Sequence, residues 1–311
     1  MKTESNPQVE EIDIAILGSG PAGLQAALVL SRTQKKIIIF DAPESPRNAA
    51  SHGVHNFLGL DGLLPRNIRE IAWKQINKYN SAEFRREIIV NVNKEDDGIF
   101  VITADNEKTI RAKKVIIAVG YYDMYPKIPG FLECWADTII SCPFCDGYEN
   151  RNRIWGIVAN SKMLLDLLPK MVQNWTSKIK IFISPNMNID QSYQNELSQL
   201  DIPVYRGIIS QVNHIGTKVK SVVFESGENI PVDTLVWVPV VKPSPLIHKM
   251  VENLDLELDE RGYVKTDKKQ ETNVKGLYAA GDVNGSSPIG ALTAANNGGI
   301  AAVSIVHEWY N

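Results

Sequence analysis

Residues 12–41 read IDIAILGSGPAGLQAALVLSRTQKKIIIFD, and this stretch decides the fold. An apolar run of strand length leads into a glycine-rich turn. A helix-length apolar segment follows, and then a second apolar run, IIIF. An alternation of this kind is typical of two parallel strands joined by a crossover helix. The sequence therefore predicts an α/β fold that begins with a strand–turn–helix–strand unit.

The turn GSGPAG at residues 18–23 has the glycine spacing of a dinucleotide-binding loop. Gly18 permits the tight turn, and Gly23 lets the helix pack closely against the strand. Gly20 lets the backbone approach a pyrophosphate at the positive end of the helix. Asp41 closes the second strand, where a carboxylate can bond a ribose hydroxyl. We predict that a dinucleotide contacts this unit through Gly18, Gly20, Pro21, Ala22, Gly23 and Asp41.

Two later segments supply the rest of the predicted cofactor site. KKVIIAVG (113–120) and TNVKGLYAAGDV (272–283) each contain an apolar run that leads into a glycine. In the second segment the strand ends in Gly281 and Asp282, and an acid beside the glycine turn can hold the ribityl chain of a flavin. This acid favours FAD over NAD as the dinucleotide.

These blocks together strongly resemble the FAD-binding half of the thioredoxin-reductase-like flavoproteins of the low-molecular-weight class, and the resemblance covers about residues 12–309. It implies an α/β protein with two doubly wound Rossmann-like domains, of which the second is inserted into the first. The FAD-binding domain would comprise residues 1–122 and 244–311, and the inserted domain residues 123–243. The resemblance also implies a homodimer.

The same resemblance implies further flavin contacts. Asn56 in VHNFLG (54–59) matches the flavin-contacting asparagine of the family, and Gly120 ends one of the family's blocks. Ala291 opens ALTAA, which resembles the helix start whose amides face the isoalloxazine. The chain departs from the family just before that alanine, where Ile289 and Gly290 replace an Arg-Gln pair.

Cys142 and Cys145 stand two residues apart in CPFCD, and this spacing allows a disulfide. A position at a helix N-terminus would stabilise a thiolate, which is the reactive form. One cysteine can then exchange with a substrate while the other faces the flavin, and Asp146 can shuttle the accompanying proton. By resemblance, Cys145 faces the flavin and Cys142 exchanges with substrate. These three residues are the predicted catalytic group.

Other interpretations of the cysteines remain open. The two thiols could be ordinary buried side chains, or they could bind zinc together with His52 and His55. Because there is no second cysteine pair and the flavin motifs already account for the dithiol, we predict no metal. The two histidines then either act as bases near the dithiol or lie on the surface.

A second strand–helix–strand pattern follows the cysteines but lacks nucleotide-binding chemistry. The turn VANSKM (158–163) has no glycine, so its side chains would crowd a pyrophosphate. The segment SPNMNIDQ (184–191) has no Arg or Lys to pair the 2′-phosphate of NADPH, which relatives hold with arginines there. We predict a flavoprotein that does not use NADPH.

The prediction is an FAD-dependent thiol–disulfide oxidoreductase that acts on a small-molecule or protein dithiol or disulfide. Some cyanobacterial and related bacterial members of the family resemble this pattern. One branch takes electrons from ferredoxin. Another, the diflavin-linked disulfide oxidoreductases, carries a second FAD and runs from dithiol to flavin, and we favour it. A non-catalytic flavin redox sensor is a further alternative.

A second flavin would need aromatic surfaces to stack on. Tyr121, Tyr122 and Tyr125 are candidates, although they are also suited to packing in the linker between the domains.

Composition excludes several other classes of function. The net charge of −3 gives no indication of a nucleic-acid partner. The longest apolar runs are too short to span a bilayer, and the polar N-terminus lacks the apolar region of a secretory signal. Three cysteines are too few for a disulfide framework. We therefore predict a cytoplasmic protein with no membrane span.

Overall fold

The computed structural model describes residues 9–43 and 47–310. The chain divides into two compact units. The first unit contains Met1–Ala49, Phe57–Tyr122 and Val241–Asn311, and the second contains Ala50–Asn56 and Asp123–Val240. The short segment Ala50–Asn56 thus groups with the second unit, although it lies inside the range 1–122 that the sequence predicts for the cofactor domain.

The strands are β1 (Glu10–Leu17), β2 (Ile37–Phe40), β3 (Ala82–Arg85), β4 (Ile89–Lys94), β5 (Phe100–Ala104), β6 (Thr109–Ile117), β7 (Tyr122–Met124), β8 (Ile139–Ile140), β9 (Trp155–Ala159), β10 (Ile179–Ile183), β11 (Val204–Arg206), β12 (Ile209–Ile215), β13 (Lys218–Phe224), β14 (Asn229–Pro231), β15 (Thr234–Trp237), β16 (Val240–Lys242) and β17 (Leu277–Ala279). The helices are α1 (Pro21–Ser31), α2 (Pro65–Ile76), α3 (Phe131–Cys134), α4 (Pro143–Asp146), α5 (Lys162–Met171), α6 (Gln191–Gln199), α7 (Pro245–Leu254) and α8 (Ala291–Glu308).

The first unit is built on a seven-stranded sheet in the order β3-β2-β1-β6-β5-β4, with β17 also paired to β6. Strands β3, β2, β1, β6 and β17 are parallel to one another. Strands β4, β5 and β6 form an antiparallel meander. Strand β6 is nine residues long, so its first half pairs with β5 and its second half with β17, while β1 pairs along nearly its whole length.

Helices α1 and α8 pack closely against each other in the first unit, and the small residues of α8 explain how. A Cβ atom on Gly298 would lie 2.0 Å from the carbonyl oxygen of Ala22. Ala301 and Ala302, one turn further along, are fully buried. The Ala- and Gly-rich composition of α8 therefore serves helix–helix contact, as close packing requires.

The second unit has a five-stranded parallel sheet in the order β11-β10-β9-β15-β8 and a three-stranded antiparallel sheet, β12-β13-β14. Buried Trp155, Ile157 and Ile181 form the centre of its parallel sheet. Helix α5 connects β9 to β10, and α6 connects β10 to β11. Each unit thus contains a parallel sheet with crossover helices, and the predicted fold class of two Rossmann-like α/β domains is confirmed.

A search of the described residues for a helix both long and apolar enough to cross a bilayer finds none.

Candidate functional site

The first glycine and the last glycine of the turn after β1 are required by the packing of the chain itself. Gly18 has φ +108°, and a Cβ atom there would lie 2.4 Å from the carbonyl oxygen of Ala118. A Cβ atom on Gly23 would lie 1.9 Å from the carbonyl oxygen of Gly18. Both distances are far below van der Waals contact, so neither position accepts a side chain.

Gly20 differs from Gly18 and Gly23 because a Cβ atom there would meet nothing within 4 Å. Its backbone has φ −71°, which any residue can adopt, and it stands at the N-terminus of α1 just before Pro21. No side chain caps this helix. Open space over an uncapped helix N-terminus is the arrangement that accepts a phosphate group. The residues present therefore fit the pyrophosphate of a dinucleotide.

Asp41, at the end of β2, already accepts two hydrogen bonds inside the first unit. Ser19 Oγ donates to Oδ1 at 2.5 Å, and Arg69 Nη2 donates to Oδ2 at 2.6 Å. The guanidinium of Arg69 also lies 5.7 Å from the ring centroid of Trp73. A carboxylate has about four lone-pair positions, so Asp41 retains the capacity to accept a ribose hydroxyl. The sequence analysis missed Arg69, because an Arg on α2 has no local feature that ties it to Asp41.

The ends of β6, β17 and α8 lie beside the glycine turn. Gly281 has φ +86°, and a Cβ atom there would lie 3.0 Å from Ala22 Cβ and 3.4 Å from Ala294 Cβ. Gly120, after β6, has φ +66° with open space around it. Since β1, β6 and β17 are parallel, their carboxyl ends share one edge of the sheet, where ligands of this fold bind.

Two other predicted cofactor residues lie in the same unit. Asp282 Oδ2 pairs with Arg47 Nη1 at 2.9 Å, and both side chains are partly exposed. Ala291 is the first residue of α8, which begins without a side-chain cap. The predicted helix start at ALTAA is therefore found where the sequence places it, and Arg47 is a cation near the site that the sequence analysis missed.

In the second unit the cysteines form a tight turn at residues 142–146, the dithiol turn. Cys142 precedes α4, and its carbonyl oxygen accepts from the backbone N–H of Cys145 at 3.0 Å and of Asp146 at 3.2 Å. Both cysteines are partly buried free thiols. Cys142 stands at the N-terminus of α4, as the sequence predicts, but this helix is only four residues long, so its dipole is small.

The hydrogen bond between the two thiols has a larger effect, and it shifts their pKa values in opposite directions. A hydrogen bond from the Cys145 thiol lowers the pKa of Cys142 to about 7 against the effect of burial, with help from the backbone N–H groups of Cys145 and Phe144. The same hydrogen bond, together with burial, raises the pKa of Cys145 well above the ordinary range of a thiol. At neutral pH, Cys142 thus carries substantial thiolate character and Cys145 keeps its proton.

Asp146 is suited to exchange that proton. Burial, with a smaller contribution from the charge of Glu149, raises the pKa of its carboxyl to about 6 against the opposing effects of His55 and His52. An aspartate that titrates near neutral pH can act as both proton donor and proton acceptor.

Asn150 fastens the end of the dithiol turn to the core, and the sequence analysis missed it. Its side chain is buried and donates to the carbonyl oxygens of Asp146 at 3.0 Å and Asp137 at 3.1 Å. Its own amide oxygen accepts from Thr234 Oγ1 at 3.0 Å and from Arg153 Nη1 at 2.8 Å. Four hydrogen bonds from one buried side chain fix the position of Asp146 relative to the sheet.

The last two residues of the segment Ala50–Asn56, His55 and Asn56, contact the dithiol turn and the residues just after it. Asn56, with φ +61°, donates from Nδ2 to the carbonyl oxygen of Phe144 at 2.8 Å. His55 Nε2 lies 3.7 Å from Glu149 Oε1. The sequence analysis assigned Asn56 to the flavin, and the structure shows its hydrogen bond to the turn between the cysteines.

The zinc alternative concerns Cys142, Cys145, His52 and His55. Within residues 9–43 and 47–310, no three or more His, Cys, Asp or Glu side chains are arranged to hold a metal ion.

The turn after β9 carries a side-chain helix cap and an exposed ion pair. Ser161 caps α5 by accepting from the backbone N–H of Leu164 at 3.3 Å. Lys162, the first residue of α5, pairs with Asp190 at 3.0 Å. The helix start that would face a second nucleotide therefore carries side chains where a nucleotide-binding turn carries glycine.

The segment after β10 is held by Arg206, at the end of β11. Its guanidinium donates to the carbonyl oxygens of Ser184 at 3.4 Å, Pro185 at 3.0 Å and Met187 at 2.5 Å. Arg206 is thus a cation near this loop that the sequence analysis did not identify, but its guanidinium already donates hydrogen bonds to three backbone carbonyls.

Two of the three tyrosines proposed for flavin stacking pack into the protein. Tyr121 is buried in the first unit, where it stacks on Tyr263 at 4.8 Å and donates to the carbonyl oxygen of Gly262. Tyr125 packs on Trp135 at 4.9 Å in the second unit. Tyr122 is half exposed. The packing interpretation therefore holds for Tyr121 and Tyr125.

Comparison with known proteins agrees with this geometry. A sequence profile of the family described as pyridine nucleotide-disulphide oxidoreductase matches residues 12–154 and 180–299. Thioredoxin reductase aclD of Aspergillus oryzae is 29% identical over 307 residues, which cover 95% of this chain and 96% of that protein. The thioredoxin reductase of Bacillus subtilis is 26% identical over 305 residues, with 95% and 94% covered. The TrxB structure from Bacillus anthracis superposes with a TM-score of 0.88 at 31% identity, with 96% and 98% covered.

Proposed function

The chain belongs to the pyridine nucleotide-disulphide oxidoreductase family, and we propose that it is an FAD-dependent thiol–disulfide oxidoreductase that works without NADPH. Membership of this family and its thioredoxin-reductase-like relatives imply an oxidoreductase that binds FAD. The observation that carries the proposal is the differentiated pair, in which Cys142 has a lowered pKa and Cys145 a raised one. Such a pair has one nucleophile and one thiol that keeps its proton.

We assign the FAD site to the first unit. Gly20 and the uncapped start of α1 would accept the pyrophosphate, and Asp41 would accept a ribose hydroxyl. Asp282 and the N-terminus of α8 would serve the ribityl chain and the flavin ring, as the family resemblance implies. When bound, FAD supplies the two-electron partner of the dithiol.

The dithiol then works by thiol–disulfide exchange. In the direction we favour, a substrate thiolate attacks the sulfur of Cys142, so a mixed disulfide forms and the Cys142–Cys145 bond breaks. A second substrate thiol displaces Cys142, which releases the oxidised substrate. The enzyme disulfide re-forms when the pair loses two electrons and one proton, and Asp146 accepts that proton from Cys145.

Several observations in the second unit support independence from NADPH. The turn after β9 has Ser161 as a helix cap and the Lys162–Asp190 ion pair, where a nucleotide-binding turn has glycine. Arg206 is engaged by three backbone carbonyls. The family profile does not match residues 155–179, which include β9 and α5.

The finer parts of the proposal are a second FAD, a flow of electrons from dithiol to flavin, a small-molecule or protein dithiol as substrate, a homodimer and a cytoplasmic location. Membership of the cyanobacterial diflavin branch also remains a prediction. Ferredoxin as electron donor, and a sensor role without turnover, are the rival proposals.

Anaerobic mixing of the FAD-loaded protein with dithiothreitol tests the core of the proposal. The oxidised flavin absorbance should bleach, and a Cys142→Ser, Cys145→Ser double variant should bleach at least about 100-fold more slowly. Equal bleaching of the double variant would make the cysteines structural. Multiple turnovers with an oxidant present would separate an enzyme from a sensor, which would stop after one reduction.

A further inference from the structure

Two side chains of the segment Ala50–Asn56 hold it against the dithiol turn. Asn56 Nδ2 donates to the carbonyl oxygen of Phe144 at 2.8 Å, and His55 Nε2 lies 3.7 Å from Glu149 Oε1. Phe144 stands between the two cysteines, and Glu149 lies just beyond them. The two contacts bracket the reactive turn, so the imidazole of His55 is held at its edge.

The ion pair of His55 with Glu149 lies at the partly exposed edge of the dithiol turn. The side chain of His55 is 24% exposed, whereas that of Glu149 is 47% exposed. Asp146 is also partly buried, and burial is the main reason why its pKa is raised to about 6. The titratable groups that act on Asp146 are His55, Glu149 and His52, and His55 has the largest influence among them.

The chemistry of the two cysteines requires a path for one proton. Oxidation of the Cys142 thiolate and the Cys145 thiol forms one S–S bond and releases two electrons and one proton. Under the proposed function the flavin accepts the electrons. The proton leaves a partly buried thiol whose pKa is strongly raised, so it needs an acceptor and then an exit.

We propose that His55, held by Glu149, is the relay that carries this proton from Asp146 to solvent and returns it in the reverse reaction. His55 acts through Asp146 and is therefore a positioning and relay residue. The proposal rests on the proposed function only for the identity of the electron acceptor, because the proton step occurs whenever the cysteine disulfide opens or closes.

The test measures opening of the disulfide, which needs no flavin. Dithiothreitol attacks Cys142 and displaces Cys145, whose thiolate must then take up a proton through the same groups. The oxidised full-length protein is mixed with dithiothreitol, quenched in acid, alkylated and weighed by mass spectrometry. We expect His55→Gln to slow reduction by about 10-fold or more, near the lower end of the range for acid–base groups.

A matched control lies three residues away on the same segment. His52→Gln removes the same chemical group from an exposed position whose influence on Asp146 is the smallest of the three, and it should change the rate less than about twofold. Equal slowing in the two variants would overturn the relay, as would a rate for His55→Gln within twofold of the wild type.

Chemical rescue separates a relay from a structural role. Added imidazole should restore most of the rate of a His55→Gly variant and should leave the wild-type rate unchanged. No restoration in a variant whose circular dichroism and melting temperature match those of the wild type would overturn the proposal. If the disulfide step depends on His55 but dithiothreitol never bleaches the flavin of the wild type, the relay stands and the proposed function fails.

Discussion

The side-chain amide of Asn150 donates a hydrogen bond to the carbonyl oxygen of Asp146 at 3.0 Å, which ties the last residue of the dithiol turn to the core of the second unit. Asn150 also accepts from Thr234, whose side chain is fully buried. A buried polar group that loses its partner keeps the cost of its desolvation. The position of the proposed proton acceptor thus depends on a side chain outside the Cys-x-x-Cys motif.

Asn150→Ala should therefore destabilise the protein by about 3 kcal/mol, since it removes four hydrogen bonds and leaves the Thr234 hydroxyl unpaired. Urea unfolding, followed through the transition of the second unit, would measure this loss of unfolding free energy. Asn195→Ala on the exposed face of α6 is the matched control and should change stability by less than about 0.5 kcal/mol. Similar losses for both variants would remove the structural role assigned to Asn150.

The contrast between Asn150 and the glycine turn shows which features a sequence reveals. The turn at 18–23 is recognisable because its spacing is local and because Gly18 and Gly23 are fixed by steric contact with nearby backbone. Asn150 meets Thr234 across 84 positions of sequence, so no local pattern connects them. Arg69 meets Asp41 across 28 positions in the same way.

The electrostatics of the dithiol turn illustrate the same limit. The sequence analysis placed the cysteines at a helix N-terminus and attributed the thiolate to the helix dipole. The helix proves to be a single turn, and the hydrogen bond between the two thiols dominates instead. Helix length and thiol orientation depend on tertiary contacts, such as that of Asn56 with Phe144, which a linear motif does not contain.

The pH dependence of Cys142 follows from its bond with Cys145. Because the neighbouring thiol lowers the pKa of Cys142 to about 7, alkylation of Cys142 by iodoacetamide should rise with pH around that value. In Cys145→Ala the donor is gone, so the midpoint should move up toward the ordinary thiol value of about 8.5. Site-resolved mass spectrometry gives both curves, and coincident midpoints would show that Cys145 does not activate Cys142.

The proton step predicts a second ionisation in flavin reduction by dithiothreitol. Asp146 must be ionised to accept the proton of Cys145, and its pKa is raised to about 6, so the rate should increase as pH rises through that value. Asp146→Asn should remove this increase in rate with pH and slow the step by about 100-fold. Stopped-flow absorbance from pH 5 to 8 measures both effects, and an unchanged pH profile in the variant would exclude Asp146 as the acceptor.

The open space at Gly20 predicts a variant that folds but does not bind cofactor. Gly20→Val has an allowed backbone, and its Cβ atom meets no protein atom within 4 Å, so the FAD-free fold should survive while the side chain blocks the pyrophosphate. Flavin content after purification and the melting temperature of the FAD-free protein measure the two effects. Gly23→Val should damage both, because its Cβ atom overlaps the carbonyl oxygen of Gly18. Normal FAD content in Gly20→Val would move the cofactor away from this turn.

The glycine-free turn after β9 predicts that NADPH and NADH leave the oxidised flavin band intact in anaerobic mixing. The Ser161 cap and the exposed Lys162–Asp190 pair stand at the helix start where a nucleotide-binding turn has glycine. Dithiothreitol added to the same cuvette should bleach the flavin and so verify that the protein is competent. Rapid bleaching by either nucleotide at micromolar concentration would overturn the proposed independence.

The diflavin proposal makes a prediction about stoichiometry. If the electron acceptor is a second flavin, gently purified protein should release close to two FAD per chain on denaturation. Tyr122 is the most exposed of the three tyrosines, so we expect its ring to be the one that stacks on a flavin. Tyr122→Ala should then lower the ratio toward one, while Tyr310→Ala, which removes an exposed ring near the C-terminus, should leave it unchanged. Absorbance of the released flavin against total protein gives the ratio. A wild-type ratio of one that persists in excess FAD would exclude the second flavin, and a protein carrier such as ferredoxin would then be the partner to test.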